Sequence, residues 1–343
     1  MEKKGFIDSL KEGQQVDELF LVKSVRLAET RAGKPYLSLV FADRSGEIGG
    51  PAWDNAEALE KICTPGRVVR VCGAVQTYRD QLQLKVDHLE AVAQQDLSMS
   101  DHLAASSRPP AAMEAELAQL LGAIADPFLR RLLHKIFHDT EVGERFQHAP
   151  AAKGIHHAYR GGLLEHSLSM AKVATLLADH YRAVNKDLVV AGALLHDIGK
   201  TVELHSEVGV IDYTDIGRLK GHVVIGSEFI AGVAKEIEDF PTDVLTHLQH
   251  LVLSHHGKQE FGSPIVPMTA EAILLSFIDD MDAKMSLVDQ LSNKLKSDGP
   301  AWSDYQRSLE RYILLRPAAS NKETSEIKAE DGEQNSTRQH TLF

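Results

Sequence analysis

Cysteine is almost missing from this 343-residue chain: Cys63 and Cys72 are its only two, and neither has a neighbour at metal-ligand spacing. A disulfide-stapled scaffold and a thiolate metal site are thereby set aside, and both residues are expected in strands or core of a protein from a reducing compartment. Long apolar runs are missing as well. None approaches the ~18–20 residues a membrane-spanning helix needs, so no membrane partner is expected. The opening "MEKKGFIDSLKEG" has no apolar h-region, and a cytoplasmic protein is expected. Aromatic residues make up only 6% of the chain, which limits the surface available for stacking. There is no cationic excess either: 37 Lys+Arg stand against 49 Asp+Glu, for a net charge of −12. That balance lowers the case for a nucleic-acid partner without removing it, since net charge governs solubility and steering more than any one site. The charge is also unevenly spread. Residues 1–92 hold 13 Lys+Arg and 14 Asp+Glu, and the acidic excess lies beyond them.

What is present first is β patterning. Residues 13–92 contain "LFLVKSVRLAE", "PYLSLVFAD", "GEIGGPAW", "RVVRVCGAVQTY" and "QLQLKVDHLEAV", several alternating apolar with polar. Turn-forming stretches separate them, and "NAEALEKI" between the third and fourth reads as a short helix. Five strands with a helix between the third and fourth form the pattern of an OB-fold barrel, whose strand 2–3 face commonly binds oligonucleotides. A Ser/Ala/Pro-rich passage over 93–112 reads as a linker. Residues 113–317 have helical periodicity, predicting helices over 113–124, 127–138, 162–183, 187–198, 219–238, 243–256, 269–294 and 302–315. The polar stretch 318–343 reads as a disordered tail. The expected fold is therefore multidomain, an N-terminal all-β OB-fold barrel followed by an all-α domain, without internal repeats.

The helical half contains two His-Asp dipeptides. His196-Asp197 ends the apolar run "LVVAGALL" in "LLHDIGK", whereas His138-Asp139 in "IFHDTEVG" has polar residues after it and no such strip before it. Burying an imidazole and a carboxylate together is costly unless something compensates them, and a metal ion is the usual compensation. Other residues stand in similar apolar or glycine-marked settings: His166 in "YRGGLLEHSLSMAKVA", His222 in "LKGHVVIGSEFI", His255-His256 in "HLVLSHHG" and Asp279-Asp280 in "AILLSFIDD". His134, His180, His247, His250 and the His138-Asp139 pair read as ordinary surface or core residues.

The order His166, His196-Asp197, His222, His255-His256, Asp279 resembles the HD-domain superfamily of metal-dependent phosphohydrolases. The resemblance implies an all-helical domain in which His166, His196, Asp197 and Asp279 hold one metal, Asp279 being preferred to Asp280. Asp197 would bridge to a second metal on His222, His255 and His256, and one or two ions are both compatible with the superfamily. Imidazole and carboxylate ligands suit a divalent transition metal, Mn first, with Fe, Co, Ni or Zn as alternatives. Two such ions can activate water against phosphorus and stabilise entering and leaving oxygens. Asp197 and Lys200 are the candidate catalytic residues, Lys200 meeting a phosphate oxygen or else pairing with Glu203.

The segments "KGIHHAYRGGLLEHSLSMA" and "LSHHGKQEFGSP" look like those of the YhaM-type 3′→5′ exoribonucleases, which also carry an OB-fold before the HD domain. That likeness covers the chain to about residue 316 and implies hydrolysis of single-stranded RNA, with single-stranded DNA as a second candidate, to nucleoside 5′-monophosphates. A homo-oligomer is compatible with it. An OB barrel can grip such a strand by stacking bases on aromatics while basic residues follow the phosphates. Candidates are Tyr36, Trp53 and Tyr78 with Lys23, Arg26, Lys34 and Arg79, while Phe20 and Phe41 are expected in the core. Tyr159 and Arg160, beside the glycine pair, are candidates for positioning the terminal nucleotide. Three rivals stand beside this reading. A cyclic-dinucleotide phosphodiesterase needs a "GYP" string where this chain has "FGSP"; a mononucleotide phosphohydrolase leaves the barrel without a task; a non-catalytic binder would lack some of the ligands.

Overall fold

The computed structural model describes residues 3–30, 33–79, 81–95, 97–106, 108–153, 157–205, 210–293, 295 and 299–317. The expected tail at 318–343 lies outside the described residues. The chain divides into two compact units, 1–284 and 285–343, with the division falling inside the last long helix.

The first part of unit one is a closed barrel of strands β1 (Gln15–Glu29), β2 (Pro35–Asp43), β3 (Gly46–Ala52), β4 (Val68–Tyr78) and β5 (Gln81–Ala91), in the order β1-β2-β3-β5-β4. β1 is long enough to serve twice. Its first half, Gln15 to Leu21, pairs with β4, and its second half, Leu21 to Glu29, pairs with β2 after a register shift between Val22 and Ser24. The bulge bends the strand so that the sheet can close. β3 meets β5 in parallel at Gly49↔Gln83, and helix α1 (Ala56–Glu60) links β3 to β4. Side chains alternate across the sheet as the sequence pattern requires, and Phe20, Phe41, Leu37, Val71 and Leu84 fill the barrel with no exposed surface. Cys63 is buried in the same core.

The helical part comprises α2 (Pro110–Ala123), α3 (Pro127–Asp139), α4 (Glu141–His148), α5 (Gly162–His180), α6 (Lys186–Leu195), α7 (Lys200–Glu203), α8 (Asp215–Ala234), α9 (Thr242–Ser254) and α10 (Ala270–Asn293). One apolar cluster runs through α2, α3, α5, α6, α8, α9 and α10. α6 sits at its centre, because Leu188 to Leu195 are all buried. Asn185 caps it by accepting from the Leu188 amide at 3.1 Å. The structure adds α4, which the periodicity missed because it is only eight residues long, and starts α8 at Asp215, where Thr214 caps the Gly217 amide. A small hairpin, β6 (Leu204–His205) with β7 (Asp212–Tyr213), interrupts the all-helical pattern.

The passage between the two parts is docked. Leu97 and Leu103 pack on Leu19, Leu21 and Val68 of the barrel, and Asp101 accepts from the Arg44 amide through its carbonyl at 3.1 Å. Further on, Ala104 and Ser106 exchange backbone hydrogen bonds with Arg160.

One predicted helix is wrong. Residues 302–315, in unit two, form part of a hairpin in which β8 (Ala301–Trp302) pairs with β9 (Leu314–Leu315) and Gln306 bridges Arg311. The aromatics of this stretch meet across the two arms, Tyr305 and Tyr312 lying edge-on at 5.3 Å. Glu310 at φ 52° makes the turn between them. Bulky aromatics and Leu and Ile residues serve a hairpin as well as a helix, so a short apolar stretch does not decide its own period.

Candidate metal centre

α6 delivers His196 and Asp197 at its buried end, where they are 0% and 1% exposed. The turn beyond them is tight, with the Lys200 amide donating to the Asp197 carbonyl at 2.9 Å. Gly199 allows α8 to come against that turn, since a Cβ there would sit 2.0 Å from the His222 carbonyl oxygen. His222 follows a break in α8 at Gly221. His255 and His256 close α9, and Asp279 lies in α10.

Four imidazoles have their orientation fixed from behind. His196 Nδ1 donates to the Ala193 carbonyl at 2.9 Å and His255 Nδ1 to the Val252 carbonyl at 2.7 Å. A carbonyl can only accept, so both rings carry a proton on Nδ1 and turn Nε2 toward the site. His166 Nδ1 donates to Asp282 Oδ2 at 2.7 Å, and His222 Nδ1 to Glu203 Oε1 at 3.0 Å. The same Glu203 oxygen accepts from the His222 backbone amide at 2.9 Å. Partners of this kind are what metal-binding histidines carry on the ring nitrogen that does not bind the ion.

The Nε2 atoms converge on two carboxylates. His166 Nε2 lies 3.2 Å from His196 Nε2 and 3.4 Å from Asp279 Oδ1. His196 Nε2 lies 3.3 Å from Asp197 Oδ2. The other oxygen, Asp197 Oδ1, is 3.3 Å from His222 Nε2 and 3.6 Å from His255 Nε2. His256 completes the second group, with Nε2 at 3.2 Å from His222 Nε2 and Nδ1 at 3.6 Å from Asp279 Oδ2. All seven expected ligands therefore meet, and Asp197 turns one oxygen to each group. Asp280 points away, is exposed and pairs with Lys284.

These contacts fit divalent cations. Ligands bonded at about 2.1 Å to one ion stand roughly 3 Å apart, as most of these atoms do. Asp197 Oδ1 and His255 Nε2 are buried without a hydrogen-bond partner among the described residues, a costly state for two acceptors facing each other unless positive charge lies between them. Electrostatics agree. Burial would raise the Asp197 carboxyl, but the Lys200 ammonium and then His196 and His222 hold it well below the usual carboxylate range. Burial and the neighbouring His256 and His196 rings push His255 far down, keeping its Nε2 bare. Burial opposes a charge on His166, but Asp279 and Asp282 overcome it and raise the ring to about 9, so a cation would compete there with a proton. Lys200 Nζ donates to Asp197 Oδ2 at 2.6 Å, a partner the sequence did not suggest beside the phosphate oxygen or Glu203 expected for it.

Sequence reasoning missed the residues behind the ligands. Asp282 was legible as Asp279 plus three, one turn along the same face of α10. Glu203 and His157 carried no comparable signal. Tyr159 is half-buried, with its hydroxyl near His157 and Glu165, while the Arg160 side chain is exposed. In the barrel, Tyr36 of β2 and Trp53, just after β3, stack on each other at 4.6 Å, with Trp53 40% exposed. Lys34 beside them pairs with Asp54, and Lys23 pairs with Glu47. Tyr78 is exposed at the end of β4 under the Arg79 guanidinium, apart from the stacked pair in the strand order.

Comparison with known proteins agrees with both halves. The HD domain family matches residues 163–284, and the OB-fold nucleic acid binding domain family matches residues 21–92. A protein named 3′-5′ exoribonuclease YhaM from Bacillus subtilis (strain 168) is 36% identical over 285 residues, covering 83% of this chain and 90% of that one. Its namesake from Geobacillus sp. (strain WCH70) is 35% identical over 285 residues, covering 83% of this chain and 87% of the other.

Proposed function

Because the chain belongs to the family of YhaM-type 3′-5′ exoribonucleases, metal-dependent hydrolases of the HD superfamily, we propose that it shortens single-stranded RNA from the 3′ end and releases nucleoside 5′-monophosphates. The observation that carries this reading is the shared Asp197 carboxylate. Each of its oxygens faces a separate group of histidine nitrogens, and Oδ1 has no hydrogen-bond partner among the described residues.

His166, His196, Asp197 and Asp279 would hold one divalent ion, and Asp197, His222, His255 and His256 a second, imidazole with carboxylate suiting transition metals, Mn among them. Such ions supply water ionised near neutral pH and charge to offset that of the phosphoryl oxygens. The chain's own residues do the rest. Asp282, Glu203 and the Ala193 and Val252 carbonyls hold the rings in one tautomer. Lys200, a partly buried cation beside Asp197, would donate to a non-bridging phosphate oxygen. Water adds to the phosphorus of the terminal nucleotide, the bond to O3′ of its neighbour breaks, and that O3′ takes the proton.

The Tyr36–Trp53 stack offers a flat face for an unpaired base on the barrel, a mode of binding that tolerates any sequence. The paired lysines nearby leave little free positive charge, so stacking and the metal centre share the grip on the strand.

The test uses 5′-labelled single-stranded RNA with Mn²⁺, a single-stranded DNA of the same sequence, and the Asp197→Ala protein. A ladder shortening from the 3′ end of the RNA, absent with Asp197→Ala, is expected. Intact RNA across several metals would remove the exoribonuclease reading. Trp53→Ala should raise the RNA concentration for half-maximal binding roughly 5- to 150-fold, the ~1–3 kcal/mol of one stacked base.

A further inference from the structure

A partly buried chain of polar side chains continues outward from the metal centre. Asp282 Oδ2 accepts from His166 Nδ1 at 2.7 Å and lies 3.3 Å from His157 Nε2. The other His157 nitrogen, Nδ1, is 2.9 Å from the Tyr159 hydroxyl, which donates to Glu165 Oε2 at 2.8 Å. Glu165 can only accept and Tyr159 has one proton to give, so the Tyr159 oxygen accepts from His157. Both nitrogens of His157 thus face oxygens, and the ring is fixed at both ends. Ser169 donates to the remaining Asp282 oxygen.

The backbone holds His157 there at a cost. It has φ 50°, a left-handed conformation that is unfavourable for a side chain of this size by about 1–2 kcal/mol. Its carbonyl accepts from the Ala151 and Tyr159 amides, and Gly162 packs so closely that a Cβ would lie 2.0 Å from that carbonyl oxygen. On the far side, Arg160 is held through its backbone by Ala104 and Ser106. Strain retained at a buried, hydrogen-bonded histidine beside a ligand points to a function for its placement.

We propose that His157 and Tyr159 are positioning residues of the metal centre, setting the orientation of the His166 ring through Asp282. A third ion held by His157, His166 and Asp282 is the competing use of the same atoms, which lie within 4.8 Å of one another. The 2.7 Å contact between His166 Nδ1 and Asp282 is a direct hydrogen bond, and an ion there would require His166 to give up both nitrogens to metal.

The test is a titration of the metal-stripped full-length protein with Co²⁺, followed by its visible absorption, on wild type, His157→Gln, Tyr159→Phe, Asp282→Asn and the double variant His157→Gln/Asp282→Asn. His157→Gln should bind as many ions as wild type, with one of them ~10- to 100-fold weaker and its absorption band shifted. Tyr159→Phe, which removes one oxygen, should weaken the same ion about 2- to 12-fold, as expected for one hydrogen bond. This milder variant carries the test if His157→Gln does not fold. The double variant should be no weaker than Asp282→Asn alone, because His157 acts only through that carboxylate. Wild-type affinities and spectra in both His157→Gln and Tyr159→Phe would overturn the proposal, as would additive losses in the double variant. Loss of a whole equivalent of Co²⁺ from His157→Gln would make the residue a ligand instead. The inference rests on the metal-centre reading but not on RNA as substrate. A wild-type protein that takes up no Co²⁺ overturns both, whereas a normal wild-type titration with unchanged variants overturns this inference alone.

Discussion

The chain places the same dipeptide at the ends of two helices and gives the copies opposite surroundings. His138-Asp139 ends α3 in solvent, His138 resting against His134 one turn earlier with both rings exposed. His196-Asp197 follows α6 and is closed off from solvent. The helices explain the difference. α3 buries Leu129, Leu132, Leu133, Ile136 and Phe137 and turns its remaining face outward, so its last residues end at the surface. α6 buries every residue from Leu188 to Leu195, so whatever follows it must enter the interior. A polar pair delivered to that place survives only among compensating groups, and α5, α8, α9 and α10 each bring one or more. The dipeptide is therefore not a motif by itself; the helix before it makes it one.

The largest effect that would break or confirm this contrast comes from exchanging each aspartate for alanine. Asp197→Ala removes the carboxylate that faces both ligand groups. It should lower RNA hydrolysis by at least about 1,000-fold, beyond the ~10–100-fold cost of disturbing a residue behind the ligands. Asp139→Ala removes an exposed carboxylate and should leave turnover unchanged and stability within ~0.5 kcal/mol. Parallel turnover assays and metal analysis of the two purified proteins decide the matter, and comparable losses in both would end the distinction.

Glu203→Ala sharpens the comparison from behind the ligands. One Glu203 oxygen holds both the backbone amide and Nδ1 of His222, and His222 in turn pulls the Glu203 carboxyl below its ordinary range against the burial that raises it. Without that anchor the ring is free to turn or to change tautomer. Metal affinity should fall ~10- to 100-fold with RNA hydrolysis largely recovered at high Mn²⁺. An unchanged metal titration would show that the break in α8 at Gly221 alone places His222.

The contrast also shows how far the sequence reaches. Alternation in β2, β4 and β5 and the helix inserted before β4 were enough for the barrel, because a half-buried strand writes its burial directly into every second residue. The seven candidate ligands were legible through their order, which resembles that of the HD superfamily, and most of them stand at the end of an apolar run or next to a glycine. Behind them, Glu203 and His157 were not, since they act across 19 residues or through strained backbone, and neither distance nor φ has a local signature. The passage after β5 looked like a free linker because Ser, Ala and Pro dominate it, yet Leu97 and Leu103 dock it on the barrel. Residues 302–315 failed for the opposite reason, since their aromatics fit two periods equally well.

The smallest effect concerns a histidine that has burial without convergence. His102, in the docked passage, is 2% exposed and its Nδ1 has no hydrogen-bond partner among the described residues. Burial lowers its pKa to about 4 and the nearby Lys3 ammonium adds to the shift, with Asp101 and Asp43 opposing. Its folded value thus lies below the ordinary 6.5. Between these values the unfolded chain binds the proton and the folded chain does not, so stability rises with pH across the window and is fully present above it. On going from pH 7 to pH 4.5 the protein should lose on the order of 2 kcal/mol from this residue. His102→Gln cannot take up the proton, so subtracting its urea unfolding curve at each pH removes the contribution of carboxylates titrating over the same range. Parallel curves for the two proteins would mean that His102 is charged or solvated in the folded chain. A gap that opens below pH 6.5 would show that burial keeps a lone histidine neutral here, and that the high value of His166 comes from the carboxylates around it and not from its depth.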